Sequence, residues 1–210
     1  AECNKLDLEK SVLLTDIRDG KQYKVARLKD GNCWMQQNLA LENATVNGVQ
    51  IPAAGPESST SASSSVIQVW KNDGYDGLLY NWCAAITTSN CNTVTTQPSI
   101  SICPTNWQLP NGTGSYSFSN LFGYYNLPTT NVSENHISTV EAAPLFFTRN
   151  GYHYTTSGNA SQGSIGDYWS RTPYNTSQTY LLGYGSSHFY PQHYDRRGYG
   201  ISVRCLAPGS

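Results

Sequence analysis

The chain has 210 residues, a formal net charge of −1 and 13% charged residues, about half the usual share. This balance excludes the basic field that draws nucleic acid or anionic membranes, and it excludes a charge-dense disordered chain. No apolar run approaches the ~18 residues of a membrane span. Polarity comes instead from 24 Ser, 19 Thr, 18 Asn and 15 Tyr. Charge is also uneven. All six Lys lie at or before Lys71, and beyond Asp76 the acids are Glu134, Glu141, Asp167 and Asp195, beside five Arg.

In chain order, residues 12–35 predict a strand meander. Asp19-Gly20 and Asp30-Gly31 are hairpin-type turns around the segment Lys21–Lys29, and a short helical turn is expected over Gln36–Leu41. Residues 52–65 are low-complexity and polar, and read as an exposed loop or mobile insert rather than a domain boundary. Asn72–Gly77 has carboxylates at a spacing that could hold calcium but lacks the EF-hand order, so a turn is expected. Residues 75–86 are apolar and aromatic and should be buried. Residues 87–101 should form a loop pinned by cysteine, and 102–110 a strand entering a Pro-bounded turn. Ser138–Glu141 is a capping-box pattern whose helix Pro144 must limit. Beyond 145, short strands are expected at Leu145–Thr148, Tyr152–Thr155, Tyr168–Arg171, Tyr180–Tyr184 and Gly200–Leu206. Helix should be scarce.

Six cysteines stand at 3, 33, 83, 91, 103 and 205, with no CxxC and no zinc-ligand spacing with His. An even count without metal spacing favours three disulfides and an exported protein. Spacing alone leaves all 15 connectivities open. Ala1-Glu2-Cys3 reads as the start of a mature or trimmed chain.

Catalytic motifs are scarce. There is no HExxH, P-loop or GxSxG, and no phosphate-cradling glycine loop opens a helix. Gly183–Ser187 resembles a serine elbow only loosely and reads better as a turn between strands. A Ser–His–Asp set could be drawn from Ser186, His193 and Asp195, but such residues are common in polar loops. What stands out is Tyr168–Tyr199, whose 32 residues hold seven Tyr, two His, Trp169, Phe189 and three Arg. Tyr and Arg with Ser, Gly and Asn is the composition of a recognition surface. The competing account is sheet packing, which suits Trp169 and Leu181-Leu182. It suits Tyr184–Arg197 less, because that stretch has few aliphatic residues to bury.

Five stretches together resemble the Fibrobacter succinogenes major paralogous domain family. They are DIRDGKQYKVARLKDGNCWMQQNL (16–39), YDGLLYNWCAAI (75–86), ICPTNWQLP (102–110), GDYWSRT (166–172) and GYGISVRCL (198–206), in the family's order. The resemblance implies an α+β fold over residues 1–210: a single C-type-lectin-like domain, rich in strands and loops, poor in helix, and related to formylglycine-generating enzymes. It implies the pairs Cys103–Cys205, Cys83–Cys91 and Cys3–Cys33. Members of this fold serve as variable proteins of diversity-generating retroelements, in which a reverse transcriptase randomises adenines in a segment ending before a constant strand. Residues 168–197 resemble such a variable region and 198–206 the constant strand. Adenine-mutated Asn codons cannot yield Lys, Glu, Gln, Met or Trp. Residues 168–200 contain no Lys, Glu or Met, and Trp169, Gln178 and Gln192 are assigned to the scaffold.

On this reading the chain is a non-enzymatic extracellular or cell-surface module with no cofactor and no bound metal. Its partner is a protein or glycan on another cell or surface. The ligand-binding residues are Arg171, Tyr174, Asn175, Tyr180, Tyr184, Ser186, Ser187, His188, Tyr190, His193, Tyr194, Asp195 and Arg196. Two features depart from relatives of known chemistry. Trp70–Asp73 carries a WND-like set in the wrong half for a calcium-dependent lectin, and Cys205 alone cannot supply the reactive cysteine pair of the oxidases. The alternatives are an invariant structural or adhesive surface domain and, third, a polysaccharide hydrolase using Asp167 and Asp195 in one cleft.

Overall fold

The computed structural model describes residues 2–59, 62–154 and 156–209. A four-stranded antiparallel sheet opens the chain. Its strands are β1 (Ser11–Thr15), β2 (Gln22–Arg27) and β3 (Cys33–Met35), joined at the far edge by the last strand of the chain. The two Asp-Gly turns fall where the sequence puts them, with Gly20 and Gly31 at φ of +76° and +80°, a conformation that glycine adopts without steric penalty. Two small hairpins follow: β4 (Ala44–Val46) with β5 (Val49–Ile51), and β6 (Val69–Trp70) with β7 (Leu79–Tyr80).

Among the described residues helix is limited to α1 (Trp82–Ala85), α2 (Phe118–Gly123) and α3 (Ile137–Val140), with 3-10 turns at Glu2–Lys5 and Cys91–Thr93. Asn81 caps α1 and Ser117 caps α2, each through a side-chain oxygen accepting from a backbone N–H three residues on. A third hairpin pairs β8 (Tyr152–Tyr154) with β9 (Gly158–Ala160). The second large sheet is an antiparallel meander of β10 (Ile165–Pro173), β11 (Gln178–Gly185) and β12 (His188–Arg196), and β13 (Leu206–Ala207) closes the first sheet against β3.

Two cores share these sheets. One gathers Trp82, Tyr80, Trp169, Leu181, Ile201 and Val203 with all six cysteines. The other is aromatic: Trp34, Phe118, Phe122, Phe147, Tyr168, Tyr184 and Phe189, with Phe147 and Tyr168 edge to face at 5.0 Å. In β10 the adjacent residues Tyr168 and Trp169 enter different cores, because successive side chains of a strand point to opposite faces. Buried indoles find acceptors: Trp169 Nε1 donates to Tyr80 O at 2.7 Å and Trp82 Nε1 to Ser170 O at 2.9 Å. Disulfides Cys3–Cys33, Cys83–Cys91 and Cys103–Cys205 tie the termini and loops to the first core, in the pairing the resemblance implies.

Several sequence expectations need correction. Gln36–Leu41 is irregular rather than helical, as are Leu145–Thr148 and most of 102–110. The helix near Pro144 begins before Ser138, at Ile137 after His136, and its cap position makes no side-chain hydrogen bond. Of the strand expected at Gly200–Leu206, only Leu206 lies in a regular strand, β13. Upstream, Gly200, Ile201 and Ser202 make isolated bridges to His153, Tyr80 and Tyr168. This segment threads between elements, and Arg204 is fully buried within it. Arg204 donates to Asn38 Oδ1 (2.7 Å) and to the carbonyls of Leu145 (2.9 Å) and Phe146, with its guanidinium 4.5 Å from the Phe147 ring.

The 52–65 segment is also more tied down than a free insert. Glu57 accepts from Asp73 N (2.5 Å), Asn159 Nδ2 (3.2 Å) and Gln162 Nε2 (3.2 Å), and Asn81 Nδ2 donates to Ser63 O (2.7 Å). Thr60 and Ser61 of this segment lie outside the described residues.

Candidate functional site

β11 and β12 form a hairpin through a two-residue turn at Ser186 and Ser187, so Gly183–Ser187 is strand end and turn rather than a nucleophile elbow. β12 is anchored from within. Phe189 packs on Phe122 at 5.0 Å and exchanges backbone hydrogen bonds of 3.0 Å with Val132. Between these anchors, outward side chains touch one another. Tyr180 meets Tyr174 edge to face at 5.2 Å, and Tyr174 stacks on Tyr194 at 3.9 Å with planes 6° apart. Tyr194 then meets His193 at 5.7 Å, His193 meets Tyr190 at 5.4 Å, and Tyr190 meets His188 at 4.9 Å. The six rings form one continuous aromatic ladder across the hairpin. Tyr174 and Tyr194 are the most open, at 44% and 38% exposure.

Of the other residues assigned to the surface, Ser186, Ser187 and Arg196 are exposed. Asn175 is exposed but builds the β10–β11 turn. Its Oδ1 accepts from Ser177 N and Gln178 N, both at 2.9 Å. Arg171 is half-buried beside Asn111, to whose Oδ1 its Nε donates at 2.8 Å, and it stands apart from the ladder. Tyr184 is a correction. It is 1% exposed and belongs to the aromatic core, its ring lying over Gly166, where a Cβ would come within 2.3 Å of it. Arg197 is fully buried against the Trp82 ring at 4.5 Å and donates to Cys91 O at 2.5 Å.

One end of the ladder borders a cleft of about 270 Å³. One wall is His188, Tyr190 and His193 of β12; the facing wall is Tyr152 and Tyr154 of β8 with Tyr199. Tyr154 and Tyr199 approach to 5.0 Å and Tyr152 and Tyr199 to 6.3 Å. Gly183 is the floor. A Cβ there would sit 3.0 Å from Asp167 Oδ1, 3.3 Å from Leu181 Cδ1 and 3.4 Å from the His193 ring, so any side chain would crowd this space. Asp167 and Asp195 supply the carboxyls.

Burial, reinforced by the charge of Asp195, pushes the Asp167 carboxyl up to about 8. Asp195 is itself raised by burial. Burial holds His188 and His193 below the ordinary imidazole value; Asp195 opposes the shift at His193 and does not reverse it. Near neutrality the imidazoles are therefore uncharged and Asp167 carries its proton, while the charge of Asp195 acts on both Asp167 and His193. A larger polar depression, about 580 Å³, adjoins the far side of Tyr199 and is lined by Ser63, Ser64, Ser177, Gln178 and Arg196.

Sequence reasoning missed Tyr152, Tyr154 and Tyr199 as site residues and set Asp167 aside for catalysis alone. The Tyr-His-Tyr alternation at 152–154 was the available signal, since it places two phenols on one face of a strand. Among the described residues no hydrogen bond joins Ser186, His193 and Asp195 into a relay. The carboxylate of Asp76 in the Asn72–Gly77 turn accepts from Asn38 N at 2.6 Å. Comparison of the chain with protein-family models, with characterised proteins and with solved structures finds no match in any of the three.

Proposed function

We propose that the chain is an extracellular ligand-binding module of the C-type-lectin-like class, displaying a diversified tyrosine-rich face in the manner of a retroelement variable protein. The observation that carries this reading is the aromatic ladder. Six rings, four from β12, one from β11 and one from the β10–β11 turn, touch in series along a sheet whose strands are anchored in the two cores by Leu181, Leu182 and Phe189. Tyr and His rings at a surface give large contact area with few rotatable bonds, the economy that paratopes use, and here Tyr174 and Tyr194 are exposed while the other four rings are partly so. The three disulfides suit an oxidising compartment. Sequencing the gene and its surroundings in related strains tests the reading. Expected are substitutions confined to adenine positions in codons for Tyr174, His188, Tyr190, His193 and Tyr194, with a reverse transcriptase and a template repeat nearby. A segment invariant across strains overturns it in favour of a fixed structural or adhesive surface.

One observation favours a second reading, polysaccharide hydrolysis. Asp167 and Asp195 border the same cleft, and Asp167 stays protonated near neutrality while sensing the other carboxylate. An acid with a raised value beside a second carboxyl is how glycoside hydrolysis divides its labour. Release of reducing ends from a polysaccharide panel, abolished by Asp167→Asn, would establish it.

A further inference from the structure

Asp167 is 9% exposed, borders the cleft, and has neither a hydrogen-bond donor nor an ion-pair partner among the described residues. A carboxyl so placed must keep its proton or meet a positive charge, because an unpaired buried carboxylate is far less stable than a hydrated one. The described residues lining the cleft offer no such charge beside it. His188 and His193 are neutral near pH 7, and Asp195 adds negative potential. The remaining titratable groups facing the space are the phenols of Tyr152, Tyr154, Tyr190 and Tyr199, and Arg196 lies beside Asp195. Phenol faces attract cations within about 6 Å of the ring centre. Aromatic walls on two sides, an unpaired carboxyl at the base and a glycine floor make a receptacle for a compact organic cation.

We propose that this cleft receives a guanidinium or ammonium head group of the ligand, which lies between the tyrosine walls and takes the place of the proton on Asp167. The inference rests on the ligand-binding reading and names the chemistry that face selects. On binding, the O–H bond of Asp167 breaks, the proton passes to solvent, and the carboxylate pairs with the incoming charge. Between pH 6.5 and 8 the free protein must release one proton to bind, so affinity rises with pH. Above about 8, where Asp167 is already ionised, the rise ends.

Calorimetric titration of the full chain with n-butylguanidinium and with its neutral isostere n-butylurea tests this. Butylguanidinium should bind about tenfold more tightly per pH unit from 6.5 to 8 and level off above; butylurea should not bind measurably. Asp167→Asn, its fold checked by near-UV circular dichroism, should weaken guanidinium binding about 100-fold, as expected for losing one partner of a desolvated charge pair, and abolish the pH dependence. Asp195→Asn keeps Asp167 and removes the repulsion, so its rise should move to lower pH. This variant decides the matter if Asp167→Asn fails to fold. Equal affinity for the urea and the guanidinium overturns the proposal. So does guanidinium binding unchanged in a folded Asp167→Asn, or an Asp195→Asn profile identical to the parent. Strain sequencing separates this outcome from the broader reading: guanidinium binding with an invariant ladder keeps the cleft and discards diversification, and the converse result does the reverse.

Discussion

Tyr184 and Tyr194 lie on neighbouring strands of one hairpin, and their replacement should have opposite consequences. Tyr184 is 1% exposed and packs in the aromatic core. Truncating a buried aromatic to Ala costs about 3–5 kcal/mol, and Gly166 beneath the ring has no side chain to refill the space. Its hydroxyl is buried without a partner. Leaving such a group unpaired costs about 1–3 kcal/mol, so Tyr184→Phe should recover about 1 kcal/mol. For a chain of this size 1 kcal/mol moves Tm by roughly 2–4 °C. Tyr184→Ala should therefore lower Tm by roughly 6–20 °C and Tyr184→Phe raise it by about 2–4 °C. Tyr194→Ala removes an exposed ring: its stacking on Tyr174 is worth about 0.5–1.5 kcal/mol or roughly 1–6 °C, and the looser contact with His193 goes with it. Differential scanning fluorimetry, backed by urea titration of tryptophan fluorescence, reads all three. The partition of the tyrosines into core and surface is wrong if Tyr184→Ala is as mild as Tyr194→Ala. Tyr184→Phe losing stability would show that the hydroxyl has a partner.

The disulfides should differ in worth. By chain entropy, the 102-residue loop closed by Cys103–Cys205 is worth about 4.7 kcal/mol and the 8-residue loop of Cys83–Cys91 about 2.5 kcal/mol. The urea midpoint of Cys103→Ala/Cys205→Ala should accordingly fall further than that of Cys83→Ala/Cys91→Ala. Asp167 imposes a pH slope. Its folded value, about 8, lies above the ordinary 3.8, so between these limits the native state keeps a proton that the unfolded chain gives up. Stability then declines as pH rises through that window, by at most about 1.4 kcal/mol per unit. Asp167→Asn should remove this contribution and gain steadily on the parent between pH 5 and 8 in urea titrations.

The first meander was readable because its signals are local: Asp-Gly turns flank a strand of alternating burial. The β10–β12 sheet was only half readable. Where β11 passes between the two cores, both its faces are buried from Leu181 to Gly185. The alternation that marks a surface strand vanishes there, so Tyr184 looks no different in sequence from Tyr180. A register shift between Leu181 and Gly183 moves the pairing with β12 as well. β12 escaped notice as a strand because His188–Arg196 holds no aliphatic residue, although backbone pairing and one Phe suffice to hold it. Gly200–Leu206 erred the other way: its apolar content suggested a ladder strand, yet its pairings go to separate elements. Burial of Arg197 and Arg204 was invisible because it depends on distant carbonyls and rings that pair their guanidiniums.

The division of the cleft bears on how a changing surface keeps one chemistry. Asp167, Tyr152 and Tyr154 lie before the 168–197 segment, and Tyr199 lies after it. His188, Tyr190, His193 and Asp195 lie within it. On the proposed reading, one wall and the buried carboxyl are therefore constant while the opposite wall varies. The ladder rings touch one another and belong to neither core, so on that reading exchanging them alters the face more than the packing beneath it. Phe189, packed on Phe122, and Arg197, buried against Trp82 just past the end of β12, anchor the hairpin independently of the ladder rings. Sister proteins diversified at β12 would share a preference for positive charge, set by Asp167, and differ in which cation-bearing surface fits around it. Such a division confines variation to selectivity and leaves the attraction itself in the scaffold.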